Sequence, residues 1–185
     1  WQGSNDERNM PINVTLQKPR HKTLEAGYSL LDYGLASVRS LARLYNEITK
    51  RRGRGAPTHE EQDLLRAMVV MAGATLDATL KRVFTDVYND VLSMGGAAHD
   101  KAVEHIHRHI LKRVGEIEGK KLAAALLSDA PHKTLTEQIV DDVTSQSLQS
   151  VEEIKKVREY LGVGDFSSEF QSRLRQALSV RNQIV

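Results

Sequence analysis

Apolar residues return at intervals of three and four along most of this chain, and that spacing is the period of a helix rather than of a strand. Leu24, Leu31, Leu35, Val38, Leu41, Ala42, Tyr45 and Ile48 form one broad apolar stripe. The glycines and proline of the segment from Lys50 to Pro57 end it. Thr58 and Glu61 make the pattern of a capping box, so a second helix is predicted from there to about Ser93, before Gly95 and Gly96. Its middle, Leu64 to Leu80, is apolar on most sides, as expected of a central helix. A third helix is predicted over about 100–114, with Gly115 and Gly119 interrupting or loosening it before Leu122 to Leu127. Asp129-Ala130-Pro131 is a break, and two further capping boxes, Thr134 with Glu137 and Ser150 with Glu153, predict two shorter helices. Gly162, Gly164 and Asp165 close the second of these, and Gly162-Val163-Gly164 reads as a helix stop because it follows a helix and not a strand. A last helix begins near Ser167. No segment sustains strand alternation, since Ile12, Val14 and Leu16 are too few, and no fixed-period repeat occurs. The expected fold is an all-α antiparallel helical bundle, with extra short helices between the central and last core helices.

Composition narrows the chemistry. The chain has 185 residues, enough for one domain, and 26 Lys and Arg against 24 Asp and Glu give a formal charge of +2. That balance excludes a polycationic tail and an acidic disordered chain. With no cysteine, a disulfide scaffold, a thiol nucleophile and an iron–sulfur site are excluded together, and a reducing, cytoplasmic location is expected. No window reaches the roughly 20 apolar residues of a membrane helix, so no membrane partner is expected. Residues 1–20 read as a leader, partly tag-like or disordered, and 21–185 as a single helical domain.

Several clusters are candidates for function. Lys50, Arg51, Arg52 and Arg54 put four cations in five positions beside glycines. Such a loop can follow a phosphate backbone, or it can simply be solvated. No aromatic is interleaved, so base stacking there is not expected. His99, His105, His107 and His109 gather on the third helix. His105 and His109 have the i,i+4 spacing that can hold a metal, but Ile106 stands where a metalloprotease helix has Glu, and no third ligand is specified. A titratable solvent face is the simpler reading, and no metal or cofactor is expected. The acids Asp129, Glu137, Asp141, Asp142, Glu152 and Glu153, set against Lys133, read as solvated helix faces.

The last helix is the most informative. Phe170, Leu174, Ala177, Leu178, Ile184 and Val185 share one stripe, and Arg181 falls within it. A guanidinium on an apolar face needs an anion, a hydrogen-bonding partner or a route to water. The segment Leu178-Ser179-Val180-Arg181-Asn182-Gln183-Ile184-Val185, preceded by Phe166, Phe170 and Leu174, resembles the signature of the HEPN superfamily, Arg-Asn-x-Ile-Val-His. Asp77 and Lys81 of the central helix resemble an acidic-x-x-x-Lys-Arg pattern of several HEPN branches, and they are also an ordinary i,i+4 surface pair. The resemblance implies a HEPN-like bundle and a metal-independent endoribonuclease, a toxin or antiviral effector that cleaves RNA through its 2′-hydroxyl. It implies Arg181 and Asn182 as catalytic residues, Asp77 and Lys81 as a supporting polar pair, and no cofactor. The implied partners are RNA, a second copy joined through the last helix, and an antitoxin or other protein. The motif's histidine is expected directly after Val185, and without it the chain is expected to be inactive or impaired. The rival reading is a noncatalytic HEPN-like adaptor that binds protein or RNA.

Overall fold

A computed structural model describes residues 14–52, 55–111 and 116–184. The leader residues 1–13, Arg54, the predicted break at Gly115 and Val185 lie outside the described residues. Seven α-helices are formed and no strand occurs among the described residues, in agreement with the all-α expectation. They are α1 (Glu25–Arg52), α2 (His59–Ser93), α3 (Ala97–His105), α4 (Glu116–Leu126), α5 (Pro131–Thr144), α6 (Val151–Tyr160) and α7 (Ser168–Ile184). A π-helical stretch, Ile106–Leu111, continues α3.

α1 and α2 form an antiparallel hairpin that is the longest packed seam of the molecule. Its close approach depends on Gly34: a Cβ there would lie 2.1 Å from Thr75 Oγ1 and 2.7 Å from Thr75 Cβ. Val38, Ala42 and Met68 bury the next stretch of the seam, with Leu41, Tyr45 and Leu65 beside them. At its open end, the Thr58–Glu61 capping box is complete. Glu61, fully buried, also accepts from Thr49 Oγ1 at 3.0 Å and Arg52 Nε at 2.9 Å, tying the end of α1 to the start of α2. These bonds, led by the one from Arg52, hold the Glu61 carboxyl below its ordinary value despite burial.

The C-terminal half of α2 carries the main core. Phe84 stacks on Tyr88 with centroids 4.6 Å apart, and Tyr160 of α6 meets both edge-on at 6.1 Å. Ala102, Ile139, Val143, Leu148 and Val157 close around them. A smaller cluster of Val151, Ile154 and Leu178 brings α6 and α7 against Leu76 and Leu80 of α2. Thus α2 is central, as its apolar middle predicts. Its apolar surface is nonetheless not all covered by the described residues: Val70 and Met71 are exposed.

The local signals divide. Ser150 accepts from Glu153 N–H and caps α6 as expected. Gly162, at φ 64°, lets the chain turn back after α6, with Val163 N–H bonding Arg158 C=O. Three expectations fail. α5 starts at Pro131 and not at Thr134, because proline needs no N–H bond in the first turn; Thr134 Oγ1 instead donates to Ala130 C=O. α3 starts at Ala97 because Gly96, at φ 66°, turns the chain there, and Gly119 sits inside α4 without breaking it.

Candidate functional site

α7 lies against the N-terminal half of α2, and Leu178 anchors it. Arg181 follows one turn later and so faces α2 again. Opposite it stands Gly73: a Cβ built there would be 3.1 Å from Arg181 Cδ and 3.2 Å from Nε. The glycine lets the arginine stem lie flat on the α2 backbone. Arg181 Nε is buried and has no hydrogen-bond partner, while Nη1 donates to Asn182 Oδ1 at 3.1 Å. Asn182 itself is exposed. The arginine therefore stays on the apolar stripe, with one donor dry and unpaired and another turned to a polar neighbour. An unpaired buried donor costs about 1–3 kcal/mol, so an anion reaching it would relieve that cost.

Beside Arg181 the two helices leave a groove of about 440 Å³. Val69, Gly73 and Leu76 form its α2 wall, and Leu174, Ala177 and Arg181 its α7 wall. Among the described residues of the lining, Arg173, two turns before Arg181, is the other charged one, and none is a carboxylate. The site is apolar, open and positive.

Asp77 and Lys81 do pair, at 3.0 Å, but they do not line this groove. Asp77 Oδ1 accepts the Leu148 N–H at 2.6 Å, so this carboxylate holds the segment between α5 and α6 onto the central helix. The basic run is also not one loop. Lys50, Arg51 and Arg52 form the last turn of α1, where cations complement the negative end of the helix dipole. Lys50 and Arg51 are exposed, whereas Arg52 is committed to Glu61. Arg54 lies outside the described residues.

The histidine cluster is dispersed, which corrects the expectation of a single solvent face. His99 is exposed with Asp100 beside it at 3.8 Å, and His107 is exposed. The His109 side chain lies outside the described residues. His105 is buried, 3% exposed, with Nε2 3.2 Å from Asp142 Oδ2 and Nδ1 sharing a hydrogen bond with the Tyr160 hydroxyl. Its depth comes from the packing of α3 against α6 and α2, which a helical period cannot reveal. Among the described residues no group of three metal-ligating side chains converges. In the Asp142–His105–Tyr160 chain, Tyr160 is buried in the aromatic core against Phe84 and Tyr88, away from any groove wall, and burial pushes its hydroxyl well above its ordinary value. It is also remote from Arg181: Gly73 and Tyr88 are 15 residues apart on α2, about 22 Å along the axis.

Two residues of the groove carried signals that sequence reading passed over. Gly73 interrupts an apolar helical run, Met71-Ala72-Gly73-Ala74, where glycine costs about 1 kcal/mol against alanine and so implies a packing reason. Arg173 is eight residues before Arg181 and so shares its stripe. A second hollow, of about 580 Å³, lies beside Asp100, Lys101, Glu104 and Glu159, and its lysine is already held by two of these acids. Lys101 Nζ sits 2.9 Å from Glu104 and 3.2 Å from Glu159, which raises the lysine and, with Arg108, lowers Glu104. No helix among the described residues is long and apolar enough to cross a membrane. The chain matches no protein-family profile, no curated protein and no solved structure.

Proposed function

We propose that this chain is a HEPN-type, metal-independent endoribonuclease acting as a toxin or antiviral effector, with Arg181 and Asn182 in its site. The observation that supports the reading is the Arg181 guanidinium, held over Gly73 with a dry, unpaired Nε beside a groove that no carboxylate of the described residues lines. In the proposed reaction a general base takes the proton of a ribose 2′-hydroxyl, and the 2′-oxygen bonds to the adjacent phosphorus. The P–O5′ bond breaks, and the leaving 5′-oxygen takes a proton from a general acid. The products are a 2′,3′-cyclic phosphate and a 5′-hydroxyl end. Charge builds on the non-bridging oxygens as phosphorus becomes five-coordinate, and a fixed, always protonated guanidinium opposes it. The motif assigns the proton transfers to a histidine at the position after Val185. Two copies packed through α7 would set two Arg–His pairs across one cleft.

The test is incubation of single-stranded RNA in EDTA with chain that carries histidine after Val185. Cleavage yielding cyclic-phosphate ends, abolished by Arg181→Ala in a variant that melts normally, is the expected result. Absence of cleavage, or cleavage indifferent to Arg181, refutes the reading, and a strict monomer at micromolar concentration refutes the composite cleft. A noncatalytic adaptor is the second reading. It is favoured by the exposed apolar side chains Val70 and Met71 on α2 and Phe170 and Val180 on α7, which are the kind of surface that partners cover.

A further inference from the structure

The groove between α2 and α7 has more chemistry than one arginine. Arg173 and Arg181 both line it, eight residues apart on one helix, about 12 Å along its axis. Leu174, Ala177 and Leu178 line the stretch between them, so the two cations are joined by apolar surface. Leu76 and Leu174 supply apolar surface, and the described residues of the lining include no acid. Phe170, 48% exposed, lies one turn before Arg173 and Leu174 on the same helix. One carboxylate does touch the pair from outside the lining: Glu169 Oε1 accepts from Arg173 Nη2 at 2.6 Å, and both side chains are exposed.

We propose that this groove is a single-strand cradle, in which Arg173 holds a second RNA phosphate a few nucleotides from the one on Arg181, while an unstacked base lies against Leu76 and Leu174. The inference rests on the ribonuclease reading and names its substrate class. Two positive points along a line match a phosphate backbone, and charge complementarity selects a polyanion over an apolar peptide. The apolar walls then select the strandedness. In an A-form duplex the bases are stacked inside and a convex ribbon of phosphates faces outward, so a duplex cannot fill a concave apolar groove of this size. An unpaired strand can turn a base face into it and stack another on Phe170. Glu169 acts as an internal competitor, because it occupies Arg173 until a phosphate displaces it.

The experiment is fluorescence anisotropy of a short labelled single-stranded RNA, titrated with the 185-residue chain at several salt concentrations. An RNA with 2′-O-methyl riboses suits this measurement, because without free 2′-hydroxyls binding is read without cleavage. Arg173→Gln should weaken binding severalfold and reduce the salt slope by about 1. Glu169→Gln should tighten binding by freeing Arg173, and the duplex of the same sequence should bind more weakly than the single strand. Arg173 and Glu169 are exposed on α7, so thermal melting should be unchanged in both variants. Wild-type affinity and slope in Arg173→Gln, with loss only in Arg181→Ala, overturn the cradle and leave the Arg181 reading intact. Duplex binding as tight as single-strand binding also overturns it. If neither arginine matters, or no RNA is bound, the cradle and the ribonuclease reading fall together.

Discussion

Asp77 separates a structural role from a supporting one at the site, and replacing it by alanine gives a worked test. Its carboxylate accepts the Leu148 N–H at 2.6 Å and sits 3.0 Å from Lys81 Nζ. Leu148 is fully buried in the main core, so water cannot replace the lost acceptor. Leaving that N–H unpaired costs about 1–3 kcal/mol. The ion pair adds less, about 0.3–0.5 kcal/mol for an i,i+4 pair partly open to solvent. Alanine returns up to about 0.7 kcal/mol of helix propensity in the middle of α2. The net expectation for Asp77→Ala is a loss of about 1–3 kcal/mol. Asp77→Asn, which keeps an acceptor oxygen, should lose about 1 kcal/mol or less. Lys81→Met, which removes only the ion pair, should lose under 1 kcal/mol. Urea unfolding followed by circular dichroism measures all three, with equal m-values required for the comparison. If Asp77→Ala unfolds at the same urea concentration as Lys81→Met, the Leu148 bond contributes nothing, and the tie between α2 and the segment before α6 is refuted.

Three further outcomes follow from the packing. Gly34→Ala should destabilise by about 1–2 kcal/mol in urea unfolding, because Thr75 Cβ itself would lie 2.7 Å from the new methyl and a rotamer change cannot clear it; a stabilised variant would show that the hairpin has slack. Gly73→Ala should leave stability within about 1 kcal/mol, since only the flexible Arg181 stem must move, and yet weaken whatever Arg181 binds; unchanged anion affinity would sink the seat assigned to that arginine. The Glu61 carboxyl is held below its ordinary value of 4.5, so its stabilisation is complete above that value and is lost as pH falls through the depressed one. Acid unfolding of Glu61→Gln should therefore show a shallower pH dependence below about pH 4.5 than the wild type; identical profiles would refute the assignment.

The helices themselves were legible because their signals are local. The three- and four-residue spacing of Leu31, Leu35, Val38 and Ala42, the Thr58–Glu61 cap and the glycine at 162 act within a few residues of chain, and each appears in the structure. Where two local signals competed, at Thr134 against Pro131, the proline prevailed because its fixed φ suits the first turn.

The sequence by itself determined an all-α chain, a central α2 and an arginine on the apolar stripe of α7. Only the tertiary structure decided what those residues meet. Arg52 became the partner of a buried glutamate, His105 a core side chain against Tyr160 and Asp142, and Asp77 the acceptor for a backbone N–H 71 residues away. Gly73 became the seat of Arg181, and Arg173 the second cation of its groove. The reason is geometric: helical period fixes which residues share a face, but the partner of that face is chosen by packing between segments far apart in the chain. A buried charge or an unpaired donor therefore becomes visible only when the helices are set against one another.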